Sequence, residues 1–267
     1  MDYPQLTLGI LRRRYKRFLA DVELASGETV VAHCPNTGSM RAVSVPGCRV
    51  WLAPSTNPAR KLAWTWELIE LPQPEGHMAL ASVHTGRTNA IVEEALRAGR
   101  IAELAGYATL KREVKVDGAR RSGARLDFRL DDPRLGSAYV EVKQVTLREH
   151  DGHGYFPDAV SARGTRHLQA LARLAGEDQR AVLLFCVAHT GIADVAPAAH
   201  LDPVYAAMLQ RVAGEGVEVL AYACDVAVID GAPRSICLGR RLPVSLTREI
   251  AHSGSIAGTE LVDARGK

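Results

Sequence analysis

Over residues 5–83 apolar and polar positions alternate in short runs, at 6–10, 18–24, 29–33, 49–53, 62–71 and 79–83. Turn-forming residues separate them at Ser26-Gly27, Pro35-Asn36-Thr37-Gly38, Pro46-Gly47 and Pro72-Gln73-Pro74. A period of two sends successive side chains to opposite faces, so each run reads as a half-buried strand. Many short strands between Gly and Pro turns close into a small barrel or sandwich. The reading taken for residues 1–84 is an all-β, OB-like barrel of five strands. Trp64 and Trp66 lie two apart in one run and share a face, which with Trp51 favours core packing over an exposed stacking surface.

The period changes after residue 85. Thr88-Asn89 look like capping residues, Ile91, Val92, Ala95 and Leu96 form a helical stripe, and Gly99 ends it. Strand-like runs follow at 110–116, 124–130 and 139–147, then a polar loop over 148–154. A second helix fits 162–175, with Leu168, Leu171, Ala172 and Ala175 on one stripe and Arg163 and His167 one turn apart. The continuous apolar run Ala181-Val182-Leu183-Leu184-Phe185-Cys186-Val187 reads as the middle strand of a sheet covered on both faces. Asp202-Pro203 supplies the N-cap and first residue of a third helix ending at Gly214, and 217–223 returns as a strand. The order helix, three strands, helix, strand, helix, strand describes an α/β layer with a mixed sheet, assigned to residues 85–252. Residues 253–267, rich in Gly, Ser and Ala, have little periodicity and read as a fraying, flexible tail.

Composition narrows the setting more than the function. With 267 residues and 47% hydrophobic content the chain suits one large domain or two small ones, and disorder is excluded for most of it. A formal charge of +3 is mildly basic, so the distribution of charge has to point to any nucleic-acid partner. The run Arg12-Arg13-Arg14-Tyr15-Lys16-Arg17 interleaves one aromatic with five cations, a combination that tracks phosphates and stacks a base; the same charges also keep a strand edge from aggregating. Asn36 and Thr37, in a turn rich in donors, complete the candidate nucleic-acid contacts, although such a turn alone is simply a loop. Five cysteines, odd in number and without a CxxC pair, indicate neither a disulfide framework nor a zinc site and fit a reducing cytoplasm. The first residues lack the charged and apolar regions of a signal peptide, and no apolar run reaches about 18 residues. A cytoplasmic protein with no membrane partner is expected.

Candidate chemistry lies in two neighbouring strands. In Arg125-Leu126-Asp127-Phe128-Arg129-Leu130, alternation sends Asp127 to one face and Leu126, Phe128 and Leu130 to the other. In Tyr139-Val140-Glu141-Val142-Lys143-Gln144-Val145, Glu141 and Lys143 share a face about 7 Å apart, opposite Val140 and Val142. If these strands pair, an Asp, a Glu and a Lys converge, which is how nucleases of the PD-(D/E)xK type assemble a metal site. Phosphodiester hydrolysis needs a nucleophilic water, stabilisation of the charge on the phosphoryl oxygens and help for the leaving oxygen. Mg²⁺ supplies the first two while taking only one or two protein carboxylates. Asp127 and Glu141 are those carboxylates; in this nuclease class the carbonyl between Glu and Lys, here that of Val142, completes the metal ligands, and Lys143 orients or deprotonates the water.

Nucleases of this class often add an acidic residue from the preceding helix, and Glu93 and Glu94 are placed almost symmetrically about the apolar stripe, so periodicity does not choose between them. Arg163, as a bidentate fork, and His167, as donor or proton carrier, are candidates for contact with the scissile phosphate. Asp158 suits either a metal ligand or a helix start after Pro157. Taken without context, an Asp on one strand and Glu-x-Lys on the next are usually solvent-facing charges. His150, Asp151 and His153 lack a fourth ligand at zinc spacing and read as loop. No GxSxG or reactive-Cys context points to acyl transfer.

Five separated motifs carry a resemblance. His33-Cys34-Pro35-Asn36-Thr37-Gly38-Ser39-Met40, Asn89 with Glu94-Ala95-Leu96, Arg125-Leu126-Asp127-Phe128, Glu141-Val142-Lys143 with Val145-Thr146-Leu147, and Phe156-Pro157-Asp158-Ala159-Val160 continuing through Arg163-Gly164 to His167-Leu168 resemble, in order, the sugar fermentation stimulation protein A family of bacteria and archaea, over residues 11–246. The resemblance implies an N-terminal OB-like domain joined to a restriction-endonuclease-like, PD-(D/E)xK mixed sheet flanked by helices. It favours Glu94 over Glu93, and it implies DNA binding and a link to sugar metabolism. The expected function is therefore a DNA-binding protein with a phosphodiesterase (nuclease) centre dependent on Mg²⁺ or Mn²⁺. The alternative is a non-catalytic, sequence-non-specific DNA-binding regulator of sugar (maltose) metabolism genes, and a protein-interaction scaffold stands behind both.

Overall fold

The computed structural model describes residues 1–57, 59–74, 76–116 and 124–250. The proposed tail at 253–267 lies outside the described residues. Strands β1 (Thr7–Tyr15), β2 (Leu19–Leu24), β3 (Thr29–His33), β4 (Arg49–Pro54), β5 (Trp64–Pro72) and β6 (Met78–Ser82) form one sheet in the order β3-β2-β1-β4-β5-β6. A parallel β3–β5 pairing closes the first five into a barrel. Its core holds Leu11, Val22, Ala32, Leu52, Trp66 and Ile69. Trp66 is fully buried with its indole N–H donated to the Leu68 carbonyl, and Trp51 is buried with its own donated to Glu70, so the tryptophans pack. β1 runs on through the basic stretch to Tyr15, and Lys16 and Arg17 turn the hairpin with left-handed backbone angles, φ 48° and 64°.

The second layer comprises α1 (Thr85–Arg97), β7 (Thr109–Val116), β8 (Ala124–Asp132), β9 (Gly136–Val145), α2 (Ala162–Gly176), β12 (Arg180–Val187), α3 (Pro203–Gly214), β14 (Glu218–Ile229) and β15 (Ala232–Arg241). Short strands β10 (Leu147–Arg148), β11 (Gly154–Phe156) and β13 (Val195–Pro197) make a small separate sheet. The main sheet has the order β15-β14-β12-β9-β8-β7, with β12 parallel to both β9 and β14 and the outer pairs antiparallel. Every residue of β12 from Ala181 to Val187 is buried, as a continuous apolar run in mid-sheet requires. Helix α1 covers one face through Ile91, Val92 and Ala95, sharing a cluster with Trp51 and Leu68 of the barrel; α2 and α3 cover the other through Leu168, Leu171, Leu209 and Val212. No helix among the described residues is long and apolar enough to cross a membrane.

Three expectations need correction. Thr88 and Asn89 are not caps: α1 begins at Thr85 after His84. Its first turn is pinned to the barrel, because Glu67 of β5, 1% exposed, accepts from Arg87 at 2.6 and 2.8 Å and lies 2.9 Å from His84 Nδ1. The run Leu126, Phe128, Leu130 does not keep one face: Leu126 joins the α2–α3 cluster, whereas Phe128 and Leu130 join the α1 cluster. The change falls at Asp127, where the β8–β9 ladder ends at Phe128↔Val140 while β7–β8 pairing continues. The final strand of the reading, 217–223, extends to Ile229 and returns as β15, whose exposed, charged residues at the sheet edge mask its alternation.

Candidate functional site

Where β8 and β9 part, a cavity of about 560 Å³ opens. The barrel loop Asn36-Thr37-Gly38 walls one side, the first turns of α1 another, and the split strands with Arg163 of α2 the rest. Past the last ladder pair, the Val142 N–H donates to Asp127 Oδ2 at 2.7 Å in place of a β8 carbonyl. Asn89 Nδ2 donates to Asp127 Oδ1, also at 2.7 Å. The carboxylate thus replaces one rung of the sheet and faces the opening.

Glu141 is 2% exposed. Its Oε1 accepts from Lys143 Nζ at 2.5 Å and makes a close contact with His167 Nδ1, which itself lies 3.2 Å from Lys143 Nζ. Arg163 Nε donates to His167 Nε2 at 3.5 Å, extending the chain of contacts one helical turn along α2. Local folding fixes that turn. Ser161 caps α2 by accepting from Gly164 N–H at 3.0 Å, and Asp202 accepts from Ser161 N–H at 2.8 Å and Tyr205 N–H at 2.9 Å, so one buried carboxylate sets the start of both α2 and α3. A Cβ at Gly164 would come within 3.0 Å of the Tyr205 ring, which is why glycine stands at this helix crossing.

Electrostatics separates the two carboxylates. Burial above all, then the charge of Glu141, holds the Asp127 carboxyl above the usual aspartate range, against the pull of Val142, Asn89 and Lys143. Burial also pushes Glu141 upward, but His167 and Lys143 together outweigh it and leave this carboxyl below the usual range. Glu141 Oε2 is buried and has no hydrogen-bond partner among the described residues. Such an oxygen costs roughly 1–3 kcal/mol or more if it stays unsatisfied. Each Asp127 oxygen accepts one hydrogen bond and keeps a second lone pair. These hard oxygens fit a divalent cation of the Mg²⁺ type. Among the described residues no group of three or more His, Cys, Asp or Glu is placed to hold a metal ion, so a cation here would rest on two carboxylates with carbonyl, water or phosphate oxygens for the remainder.

Asp127, Glu141, Val142, Lys143, Arg163, Asn36 and Thr37 all line this cavity, and His167 stands behind Glu141. Glu94 does not join them: it pairs with the Met1 amino group at 2.9 Å and with Arg100 at 3.8 Å. Glu93 is held by Arg97 and Arg112. The α1 residue that reaches Asp127 is Asn89, one helical turn before Glu93, because α1 starts earlier than its apparent cap. In the basic run, Arg12 pairs with Glu23 at 2.7 Å and Arg13 with Asp21 at 2.6 Å, with Arg13 also over the Tyr15 ring. Arg14 donates to the carbonyls of Arg17, Asn36, Gly38 and Ser39, so it shapes the barrel loop. Lys16 and Arg17 are exposed in the hairpin turn.

Asp158 lines the cavity and accepts from Met40 N–H at 2.8 Å, joining the α/β layer to the barrel loop, while Ser161 begins the helix. His153 and Asp151 serve the loop and small sheet, His153 against Asp194 and Asp151 against the Tyr155 hydroxyl. Alternation gives no sign of Asn89, Thr85 or Gln144 at the site. The only signal for Asn89 was its place in the family-like motif. Thr85 donates to the Pro35 carbonyl at 2.7 Å and Gln144 to the Ser82 carbonyl at 2.6 Å, both across the join between barrel and sheet.

The comparisons with known proteins agree with this layout. The sugar fermentation stimulation protein RE domain matches residues 86–228, and the SfsA N-terminal OB domain matches residues 13–80. A sugar fermentation stimulation protein homolog of Chromohalobacter salexigens is 69% identical over 252 residues, covering 94% of this chain and 97% of its own. One from Pseudomonas savastanoi pv. phaseolicola is 53% identical over 242 residues, covering 90% and 97%. A solved structure described as Pyrococcus furiosus SfsA in complex with Ca²⁺ matches with a TM-score of 0.77 at 26% identity, over 92% of this chain and 98% of that one.

Proposed function

The chain belongs to the sugar fermentation stimulation protein family, and from that premise we propose that it binds DNA and hydrolyses phosphodiester bonds in the cavity between barrel and sheet, with Mg²⁺ or Mn²⁺ as cofactor. The observation that carries the proposal is the buried, unpartnered Glu141 Oε2 in a cavity that also takes Asp127 and Lys143. The archaeal relative described in complex with Ca²⁺, also a hard, oxygen-seeking ion, supports a cation at this fold.

When bound, such a cation supplies an acidified water and neutralises charge on the phosphoryl oxygens. Asp127, Glu141 and the Val142 carbonyl would hold it. Lys143 orients the attacking water from beside Glu141, and Arg163 offers its guanidinium fork to the scissile phosphate. His167, held between Arg163 and Glu141, positions both. Lys16 and Arg17 extend a cationic tip for the phosphate backbone, with Asn36 and Thr37 at the cavity rim; Arg12 and Arg13 contribute less, since carboxylates already neutralise them.

The Lys143–Glu141 ion pair favours one second reading, a DNA-binding regulator without cleavage, because it occupies the ammonium that would act on water. Incubating the protein with supercoiled plasmid and with single strands in Mg²⁺ or Mn²⁺, beside Asp127→Asn and Lys143→Ala, decides between them. The proposal expects cleavage that both variants lose. DNA retarded in a gel but uncut with either metal would leave the regulator.

A further inference from the structure

On the far side of Arg163 and His167 lies a second groove of about 870 Å³. Among the described residues five arginines line it, Arg125, Arg163, Arg166, Arg173 and Arg211, against one carboxylate, Glu215. Glu215 sits 3.5 Å from Arg211, and Arg125 meets Glu113 at 3.3 Å. Arg166 and Arg173 have no side-chain hydrogen bond or ion pair among the described residues. Arg173 lies in the last turn of α2, where a cation suits the helix dipole, but Arg166 stands in the second turn and has no such role. The apolar face of α2 is turned to the sheet through Leu168, Leu171 and Leu174 and needs no help from them.

We propose that this arginine groove is the path by which one nucleic-acid strand leaves the cavity at Asp127 and Glu141, held through its phosphates alone. The inference rests on the phosphodiesterase reading for its direction, since Arg163 lines both cavities and so makes them neighbours. Arg166 and Arg173 are seven residues and two helical turns apart, about 10.5 Å along the axis, so they stand on one face of α2 and can hold separate phosphates of one strand. Among the described residues the groove walls contain no Phe, Tyr or Trp; their one ring is that of His167, 6% exposed and packed against Glu141, and their apolar part is Ala124 and Ala172. Bases therefore find no open aromatic face there, and the contact is sequence-independent and salt-sensitive.

The test uses the full chain, with R166A/R173A and R166K/R173K as variants. Both positions are exposed or half-exposed and free of partners, so folding is preserved. Binding of a fluorescein-labelled 30-mer, single- and double-stranded, is followed by anisotropy in EDTA from 50 to 300 mM salt. Hydrolysis of bis(4-nitrophenyl) phosphate, too short to reach the groove, is followed in Mn²⁺. R166A/R173A is expected to lower 30-mer affinity on the order of 10–60-fold at 0.1 M salt and to reduce the salt slope by about 1.5–2, with R166K/R173K keeping the wild-type slope and hydrolysis of the short diester unchanged in both. An unchanged slope and affinity in R166A/R173A, or no binding of the 30-mer by the wild type, overturns the groove. Absence of diester and plasmid cleavage with the slope change intact removes the phosphodiesterase reading and leaves the groove standing as a binding surface.

Discussion

Replacing Asp127 by Asn removes a charge and keeps a shape. The Val142 N–H still donates to the amide oxygen, and Asn89 turns its own amide to offer oxygen to the new NH₂, so both hydrogen bonds survive. In the wild type, burial chiefly and the Glu141 charge secondarily raise the Asp127 pKa. The stability carried by a proton on Asp127 is thus full below the ordinary aspartate pKa, about 3.9, and is lost as pH rises through the higher folded value. Above that folded value the metal-free wild type bears an ionised, partly desolvated carboxylate that the variant lacks. Metal-free Asp127→Asn is therefore expected to melt at or above the wild-type temperature, with a shallower loss of stability from acid to neutral pH. A divalent cation reverses the order. At a hundred times its Kd it adds about 2.7 kcal/mol to the wild type, or roughly 5–10 °C at 2–4 °C per kcal/mol, and the variant gains little. Thermal melts in EDTA and in a Mn²⁺ series at pH 5 and 7 measure both effects. A metal-free variant several degrees below wild type would refute the electrostatic account, and equal Mn²⁺ shifts in the two proteins would move the cation away from Asp127.

Two other perturbations probe the join between barrel and sheet. Arg87→Ala strands the Glu67 carboxylate, 1% exposed, with His84 alone, and should cost about 3–5 kcal/mol, seen as a melting temperature lower by roughly 6–20 °C. Burial raises the Glu67 pKa but His84 and Arg87 lower it further, so this stabilisation is present above the ordinary glutamate range and lost as pH falls through the depressed folded value; urea melts at pH 7 and 4 should differ more for wild type than for the variant. Arg14→Ala removes the donor to four loop carbonyls and is expected to cost about 1–3 kcal/mol in urea melts and to weaken DNA binding, with Arg14→Lys failing to restore it because one ammonium cannot replace the planar fork. Full rescue by Lys would instead identify Arg14 as a plain charge for phosphate.

Patterns of period two and 3.6 carried most of the architecture because each corresponds to a buried face. The apolar run of β12 had to be central, and Asp202-Pro203 had to start α3, since both signals are local. The site was legible where it lay on a regular period or in a marked turn: Glu141 and Lys143 by strand alternation, Arg163 and His167 one helical turn apart, Asn36 and Thr37 in a turn rich in donors. Asn89 was hidden because Thr88-Asn89 imitates a helix start, and only the tertiary tie of Arg87 to Glu67 moves the start a turn earlier. Glu94 looked equivalent to Glu93 because a helical stripe fixes which residues are buried, not which sheet edge the exposed flank meets. Arg12 and Arg13 looked free because their partners, Glu23 and Asp21, are set by the register of β2, which no run of residues within β1 encodes. The Arg166–Arg173 pair passed unnoticed for the opposite reason: two cations seven residues apart are ordinary on a solvated helix, and only the groove beside them makes their lack of partners informative.

The geometry argues against treating the barrel as a binding module attached to an independent α/β centre. One wall of the cavity is barrel backbone, the Asn36-Thr37-Gly38 turn, and its shape depends on both layers at once. Asn36 Oδ1 accepts the Gly38 N–H at 2.8 Å to close the turn, Arg14 holds its carbonyls, and Asp158 accepts the Met40 N–H from the other layer. A side chain at position 38 would place Cβ 3.0 Å from Asn36 Oδ1 and 3.5 Å from Asp158 Oδ2, so glycine is what allows the turn to approach Asp158 this closely. The same turn is anchored to α1 by Thr85, four residues before Asn89, whose amide orients Asp127. A chain of short contacts therefore leads from the strand with the densest basic run to the carboxylate at the split in the sheet. Asn36 and Thr37, which a linear reading assigns to nucleic-acid contact in one domain, and Asp127, Glu141 and Lys143, which it assigns to catalysis in the other, line a single cavity.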